Sequence, residues 1–418
     1  MRRSCGLVLL CGFVLAVLGV PDPARAQRAT VDQNIFLDIL PALKTAPAPA
    51  WLQPGTRITY FSAAASIAGE RTKLVEDPNG DWEVTYANGS KKKFREQDIS
   101  GAGKGGAGYT VLSVVHLDQS VAVLEIRSYA MLTYGGPSTL ALLGGAVGLP
   151  GAGSDFWMHP GVLARAPGLQ VGDELQVLRM GYALNGRQFR VIRFQGKSSS
   201  WNYEETTGLL LRTTSSAETT VMVPPPGTSG PITQRAGGTL IAQNTFMNAR
   251  TPAIPWARTP APSWLANARR LRYEGTWTLY VPGSPVVPLA VYVTFDRQHF
   301  GGQWARYTQR VQMPNVPGLP PIENTTTRVY GPAQIAGLWV PPDAQTQLRP
   351  GHELDRDPAT GVVTTVSTDA GGGFGITEAN ALHRIDYVYD SRTGILFYIR
   401  TTDRGLNTVI ELRLVAVQ

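Results

Sequence analysis

The chain has 418 residues, of which 43% are hydrophobic and 17% charged, with 45 glycines, 31 prolines and two cysteines. That length is more than one hydrophobic core ordinarily serves, so two domains are expected, and the apolar fraction excludes a wholly disordered chain. Abundant Gly and Pro with little charge exclude a helical bundle or coiled coil. The formal charge of +7, with acids and bases intermixed, gives no broad basic face for nucleic acid.

Arg2 and Arg3 precede an apolar run from Leu7 to Val20, followed by Pro21, Pro23 and Ala24-Arg25-Ala26. The run is shorter than the ~20 residues a membrane-spanning helix needs, and a basic start, short apolar core and A-x-A site together describe a secretory signal peptide. Residues 1–26 are therefore expected to be removed, which places the mature chain outside the cytoplasm, in a periplasm or beyond. Lipidation of Cys11 is the weaker alternative, because Val8-Leu9-Leu10 lacks the small residues that precede a lipidated cysteine. Cys5 and Cys11 both fall within the signal, so the mature chain is expected to have no disulfide, thiolate metal site, iron–sulfur cluster or cysteine nucleophile. Loss of three arginines and Asp22 lowers the net charge from +7 to +5. No later segment is long and apolar enough to span a bilayer as a helix.

Val31, Ile35, Phe36, Ile39, Leu40 and Leu43 recur at helical spacing, which predicts a short amphipathic helix over 31–43 packed on the body, then an Ala/Pro linker as far as Ala50. Beyond Trp51 the period becomes two. Leu124 and Ile126 alternate with Glu125 and Arg127; Leu289, Val291, Val293 and Phe295 with Ala290, Tyr292 and Thr294; Ile410, Leu412 and Leu414 with Glu411 and Arg413. Alternation buries one face of a strand and wets the other, the mark of antiparallel sheet. Asp77-Pro78-Asn79-Gly80, Asn88-Gly89 and Asn185-Gly186 supply hairpin turns, the last between predicted strands 175–184 and 188–194. The fold class is all-β.

Several stretches invite a chemical reading. Gly101–Gly108 contains a G-x-G-x-x-G match around Lys104, but a strand rather than a helix follows, so a surface loop is expected. Asp77, Asn79 and Asp81 alternate like calcium ligands but lack the twelve-residue loop and its closing Glu. The five histidines form no H-x-H or H-E-x-x-H pair, so no metal site and no cofactor are expected. His352, Glu353, Asp355 and Asp357 are the densest polar cluster; paired carboxylates could serve glycoside hydrolysis, yet Pro358-Ala359-Thr360-Gly361 predicts an exposed turn there. No catalytic residue is assigned.

Residues 135–155 are apolar, glycine-rich and uncharged as far as Ser154. They are read as an exposed loop that gates a ligand surface, or equally as a loop folded down on the core, with Leu140, Leu142, Leu143, Val147, Leu149, Phe156 and Trp157 as the candidate ligand-binding residues. An internal repeat is also visible. Pro47–Leu52 with Tyr60 resembles Pro260–Leu265 with Tyr273, Phe156-Trp157 resembles Leu338-Trp339, and Tyr203–Leu210 resembles Tyr389–Leu396. Two related domains, 51–250 and 264–418, follow, joined by the Pro-rich segment 251–263, which is expected to hold them apart or at a fixed angle. These features suggest an exported, non-catalytic protein binding a lipid-like or polymeric apolar ligand on a curved sheet. The alternatives are a cell-envelope assembly component and a polysaccharide hydrolase using His352, Glu353 or Asp355.

Overall fold

The computed structural model describes residues 36–68, 73–76, 82–86, 89–95, 104–131, 136–153, 155–171, 175–223, 234–280, 286–314, 321–368 and 372–418. Residues 1–26, read as a signal peptide, residues 77–81, read as a turn, and Gly101–Gly103 lie outside them. The first half contains β1 (Arg57–Ala68), β2 (Lys73–Glu76), β3 (Trp82–Thr85), β4 (Lys91–Phe94), β5 (Lys104–Leu117), β6 (Ala122–Met131), β7 (Ser138–Gly148), β8 (Gln170–Val171), β9 (Leu175–Leu184), β10 (Arg187–Gly196), β11 (Ser199–Glu204), β12 (Leu210–Val223) and β13 (Gln234–Arg250). The second contains β14 (Arg270–Leu279), β15 (Val287–Phe300), β16 (Ala305–Met313), β17 (Ile322–Tyr330), β18 (Glu353–Arg356), β19 (Val363–Thr368), β20 (Phe374–Ala379), β21 (His383–Tyr389), β22 (Leu396–Asp403) and β23 (Thr408–Val417).

Each half forms a ten-stranded antiparallel sheet, ordered β7-β6-β5-β1-β13-β12-β11-β10-β9-β8 and β17-β16-β15-β14-β23-β22-β21-β20-β19-β18. With the small sheet β2-β3-β4 set aside, these are one path traced twice. A first strand is flanked by a three-strand meander, the chain crosses to the far edge, and a six-strand meander returns until its last strand pairs with the first. The all-β architecture of two similar sheets read from alternation and turn chemistry is the one observed. Strand 175–184 ends where predicted, because Asn185 and Gly186 adopt φ of 50° and 75°, as a tight hairpin demands.

The residues that carry the sequence repeat form the same clasp in both halves. The crossing segment must be strapped to the sheet, and the Tyr-acid-x-x-Thr-Gly turn does this. Trp51 Nε1 donates to Thr207 O at 2.8 Å, as Trp264 Nε1 does to Thr393 O at 3.1 Å. Tyr60 donates its hydroxyl proton to Leu210 O, and Tyr273 to Leu396 O. Trp157 bridges to Leu209 and Trp339 to Ile395. Gly208 and Gly394, at φ of 73° and 71°, press their backbones against Met158 O and Val340 O, where no Cβ would fit. A β-bulge falls just before Tyr60 and just before Tyr273, turning each ring into its core.

Helix Phe36–Ile39 packs on the body, as its spacing suggests: Phe36 is wholly buried, its ring edge-on to those of Phe194, Trp201 and Tyr203. Three expectations are corrected. Segment 251–263 does not hold two bodies apart, because Ile254 and Trp256 are buried in the second-half core and Trp256 Nε1 donates to Gln334 O. Residues 138–148 are not a loop but strand β7, paired with β6 from Ala122↔Gly148 to Met131↔Ser138, and β17 is its counterpart. Its glycines serve close packing: a Cβ on Gly145 would lie 2.8 Å from the Val329 nitrogen. Likewise Lys104–Gly108 begins β5, with Gly105 and Gly108 pressed against Ala64 O and Tyr129 O.

Gly394→Ala forces a side chain into the left-handed region against Val340 O. It is expected to lower the unfolding free energy by about 2 kcal/mol or more, read as a fall in urea midpoint. An unchanged midpoint would show that the clasp does not hold the crossing segment.

Candidate functional site

The residues predicted to line a ligand gate lie not on a loop but in the first-half core and in or beside strand β7. Phe156 and Trp157 belong to the first-half core, and Trp157 Nε1 donates to Pro150 O at 2.9 Å. Leu140 packs on the second-half core, and Val147 on a cluster of Val115, Val123, Trp304 and Val329 drawn from both halves. Leu142, Leu143 and Leu149 are half-buried in β7 and at its end. The apolar stretch is a seam strand, glued by its side chains to the second half.

The seam is ionic as well as apolar. The polar face of β6, expected to be wet, lies against the second sheet, leaving Glu125 and Arg127 only 1% and 3% exposed. Arg127 Nε donates to Glu125 at 3.0 Å and Nη1 to Glu378 at 2.5 Å. Tyr387 also donates to Glu378, Gln334 Nε2 to Glu125, and Arg328 lies 3.9 Å from Glu125. Beside it, Asp355 accepts from Arg57 at 2.6 Å and from Arg250 at 2.9 and 3.0 Å, while Asp357 accepts from Thr59 and Asn248. Four arginines thus face four carboxylates. Burial alone would raise the Glu125 carboxyl, but Arg127 and then Arg328 hold it below the usual glutamate range. Burial works against Asp355 in the same way, and Arg57 and Arg250 hold it below the usual aspartate range.

The hydrolase reading meets this arrangement directly. Asp355 and Asp357 are not on an exposed turn; they are buried and held by arginines. Glu353 is on the surface, paired with Arg356. A cleft of about 380 Å³ opens at the seam between Tyr109, Ser138, Thr360 and Asn380, and Asn380 Nδ2 already donates to Ser138 O and Thr360 O. Among the described residues no group of His, Cys, Asp and Glu could hold a metal ion. One carboxyl behaves differently: burial beside the first-half core pushes Asp155 up to about 6.

A surface that sequence reasoning missed lies on the core-bearing face of the second sheet. Directly opposed residues in an antiparallel pair share a face, as do residues two apart along a strand. Tyr273, Gly275 and Trp277 on β14 oppose Val293, Val291 and Leu289 on β15, and Leu414, Leu412 and Ile410 on β23. Val293 opposes Val311, and Met313, two residues on, opposes Ile322. Tyr273, Val291 and Val293 are buried, whereas Trp277, Leu289, Met313, Ile322, Ile410 and Leu412 are half-buried, so the apolar face continues beyond the fully buried core. The other face of the same strands is polar: Glu274, Thr276, Gln312, Glu323, Glu411 and Arg413. At the matching level of the first sheet, Ser62 and Ala64 oppose Gly108, Gly106, Asn244 and Ala242, and Ser62 is hydrogen-bonded to Asn244 and Thr110. The apolar strip is peculiar to the second half. Its signal in the sequence is the alternation at 289–295 and 410–414 that marks a buried face, here carried past the point where the core closes.

No family model matches the sequence, and no curated protein matches it. Among solved structures, a crystal structure of a DUF3598-family protein of unknown function from Nostoc punctiforme is similar over 87% of this chain and 96% of that one, at 10% identity and a TM-score of 0.13, too loose to bear on fold or function.

Arg127→Met leaves Glu125 and Glu378 buried without their shared cation and is expected to destabilise by about 3–5 kcal/mol. Glu125 and Asp355, with lowered values, contribute stability above the ordinary carboxylate range that is lost as pH falls through it. Asp155 has the opposite sign. Its neutral form stabilises below the unfolded value, and that contribution is lost as pH rises through about 6. Asp155→Asn is therefore expected to raise stability at neutral pH by about 1–2 kcal/mol, with the gain vanishing near the ordinary aspartate value. Urea titrations across pH check both, and a gain for Asp155→Asn that grows in acid would refute the assignment.

Proposed function

We propose that the protein is an exported, non-catalytic binding protein that holds an apolar or amphiphilic ligand, a lipid-like or polymeric chain, on the core-bearing face of its second sheet. The observation that carries this reading is the half-buried apolar strip of Trp277, Leu289, Met313, Ile322, Ile410 and Leu412, continuous with a buried core and backed by a polar face. Water against such a strip is unfavourable at roughly 25 cal/mol per Å², so an occupant that covers it gains affinity without any specific polar contact. The seam carboxylates support a non-catalytic role, because each named acid there is already engaged by arginine, hydroxyl or amide donors. The export signal read over residues 1–26 supports a location outside the cytoplasm.

A fluorescent fatty-acid probe tests the reading. Emission is expected to rise on mixing with the protein, and Met313→Asp or Leu412→Asp, which put a charge into the strip, are expected to weaken probe affinity about tenfold or more. Equal affinity in both variants, with far-ultraviolet circular dichroism unchanged, would remove the strip from consideration.

A further inference from the structure

Of the five histidines, His383 alone is buried, at 2% exposure, and it sits at the seam between the halves. It opens β21 and faces the first half. Its ring lies against that of Tyr129 on β6, with centroids 5.6 Å apart, and Nδ1 is 3.4 Å from the carbonyl oxygen of Ser138, the first residue of β7. A carbonyl only accepts, so this contact requires the ring proton on Nδ1. Two more second-half groups grip the same place: Asn380 Nδ2 donates to Ser138 O at 2.8 Å, and Asp403 accepts from the Thr139 hydroxyl. Asn380 also fixes the backbone that carries the ring, since its Oδ1 accepts from the Leu382 and His383 nitrogens. The start of β7 is thus latched to the second half at one corner, beside the cleft between Tyr109, Ser138, Thr360 and Asn380.

We propose that His383 makes this corner of the seam acid-sensitive: neutral, it latches Ser138 to the second half; protonated, it releases the latch, so that the start of β7 parts from the 380–383 turn and the cleft widens. The second proton has to go on Nε2 of a ring that water does not reach, and an imidazolium there bears the cost of burying a charge. The groups that face it do not offset that cost. β6 supplies Arg127, which repels a second cation, and Tyr129. β20 supplies Glu378, already engaged by Arg127 and Tyr387. β22 supplies Asp403, already engaged by Thr139 and the Leu406 nitrogen, with exposed Arg404 next to it. β7 brings no charge at Ser138 or Thr139, and Arg384 and Asp386 of β21 pair with each other. Neither Glu378 nor Asp403 pairs with the ring where it stands, and to reach Glu378 Oε1, which has no partner among the described residues, the ring has to shift off Ser138. Burial first, and Arg127 with it, hold the ring below the ordinary histidine range against the pull of Glu378 and Asp403. Neutral His383 therefore contributes stability that is complete above the ordinary value of ~6.5 and is lost as pH falls from there through the ring's own lower value. Glu125 and Asp355, held below the carboxylate range, stay charged over that interval, so the ionic cluster keeps its grip and the change is confined to the corner.

Two measurements on the full chain test this. Proton NMR of the imidazole C–H signals between about pH 5 and 8 is expected to show one ring titrating below ~6.5, and that signal is expected to be missing in His383→Asn. Hydrogen exchange read by mass spectrometry, corrected for the intrinsic pH dependence of exchange, is expected to show opening over residues 136–148 that rises by up to about tenfold per pH unit between the two values, the limit for one linked proton. Peptides from β12 and β15 should show no such rise. In His383→Asn, whose amide can still donate to Ser138 O, opening over 136–148 is expected to be flat with pH. Asp155 and the seam carboxylates are common to both chains and cancel in the comparison. His383→Gln replaces it if that variant does not fold, and the exchange of the native chain needs no variant at all. A His383 ring that titrates at or above the ordinary value, native opening over 136–148 that does not change between neutral and mildly acid pH, or an equally steep rise in His383→Asn would each overturn the inference. None of these readings involves the apolar strip, so they stand or fall apart from the ligand proposal.

Discussion

Four arginines and four carboxylates, set where two sheets meet, decide how the rest of this molecule is arranged. Isolated, any one of them would be too costly to bury; together they sum to no net charge and hydrogen-bond to one another and to neighbouring hydroxyl and amide groups. Such a cluster adds less stability than an apolar seam of equal area would. What it contributes is register. Arg127 can meet Glu125 on its own strand and Glu378 on β20 in one relative placement of the halves, and Arg57 with Arg250 can grip Asp355 only in that same placement. Apolar packing of β7 on β17 is less particular and would tolerate sliding. The ionic seam makes the two sheets one body, and every surface described above takes its position from that.

The repeat and its breakdown are equally informative. The clasp of tryptophan, tyrosine and turn glycine is the same in both halves because the same topological problem, strapping a crossing segment across a curled sheet, arises in both. Away from the clasp the faces diverge. The first sheet uses its outer face to build the seam and the small sheet β2-β3-β4 to cover Phe61 and Ile241, while its core-bearing face at the far end carries serine, alanine and glycine. The second sheet gives part of its core-bearing side to the seam and leaves the far end apolar. Constraint is shared where the fold needs it, and side chains have diverged where the halves meet different surroundings.

Much of this was legible in the residues, and the failures have a common cause. Alternation located the strands, because a period of two is a local property. Asn-Gly turns ended β9 where they should, since positive φ is local too. The repeat was readable because the clasp residues are large and few. What sequence alone could not supply was the identity of the neighbour. Glu125 and Arg127 alternate with apolar residues just as surface residues do, and only the second sheet's arrival makes them buried. The glycines of 135–150 look like flexibility, whereas Gly145 is small because Val329 lies against it. Asp355 and Asp357 sit before a Pro-Ala-Thr-Gly turn that reads as exposed, and the turn is real, but its carboxylates point into arginines of the other half.

The same reasoning explains why the apolar strip was missed and why it carries meaning. Alternating Leu289, Val291, Val293 and Phe295 predicts a face in contact with something apolar, and the core supplies that contact for Val291, Val293 and Phe295. At Leu289 and Trp277 burial is only partial while the apolar pattern continues. At the matching level the first sheet carries buried Ser62 and Ala64 in place of large apolar side chains. The two halves are thus an internal control for each other. With topology, clasp and strand register held in common, the two halves differ in side chains at one level of one face, and that difference is the observation on which the proposed ligand surface rests.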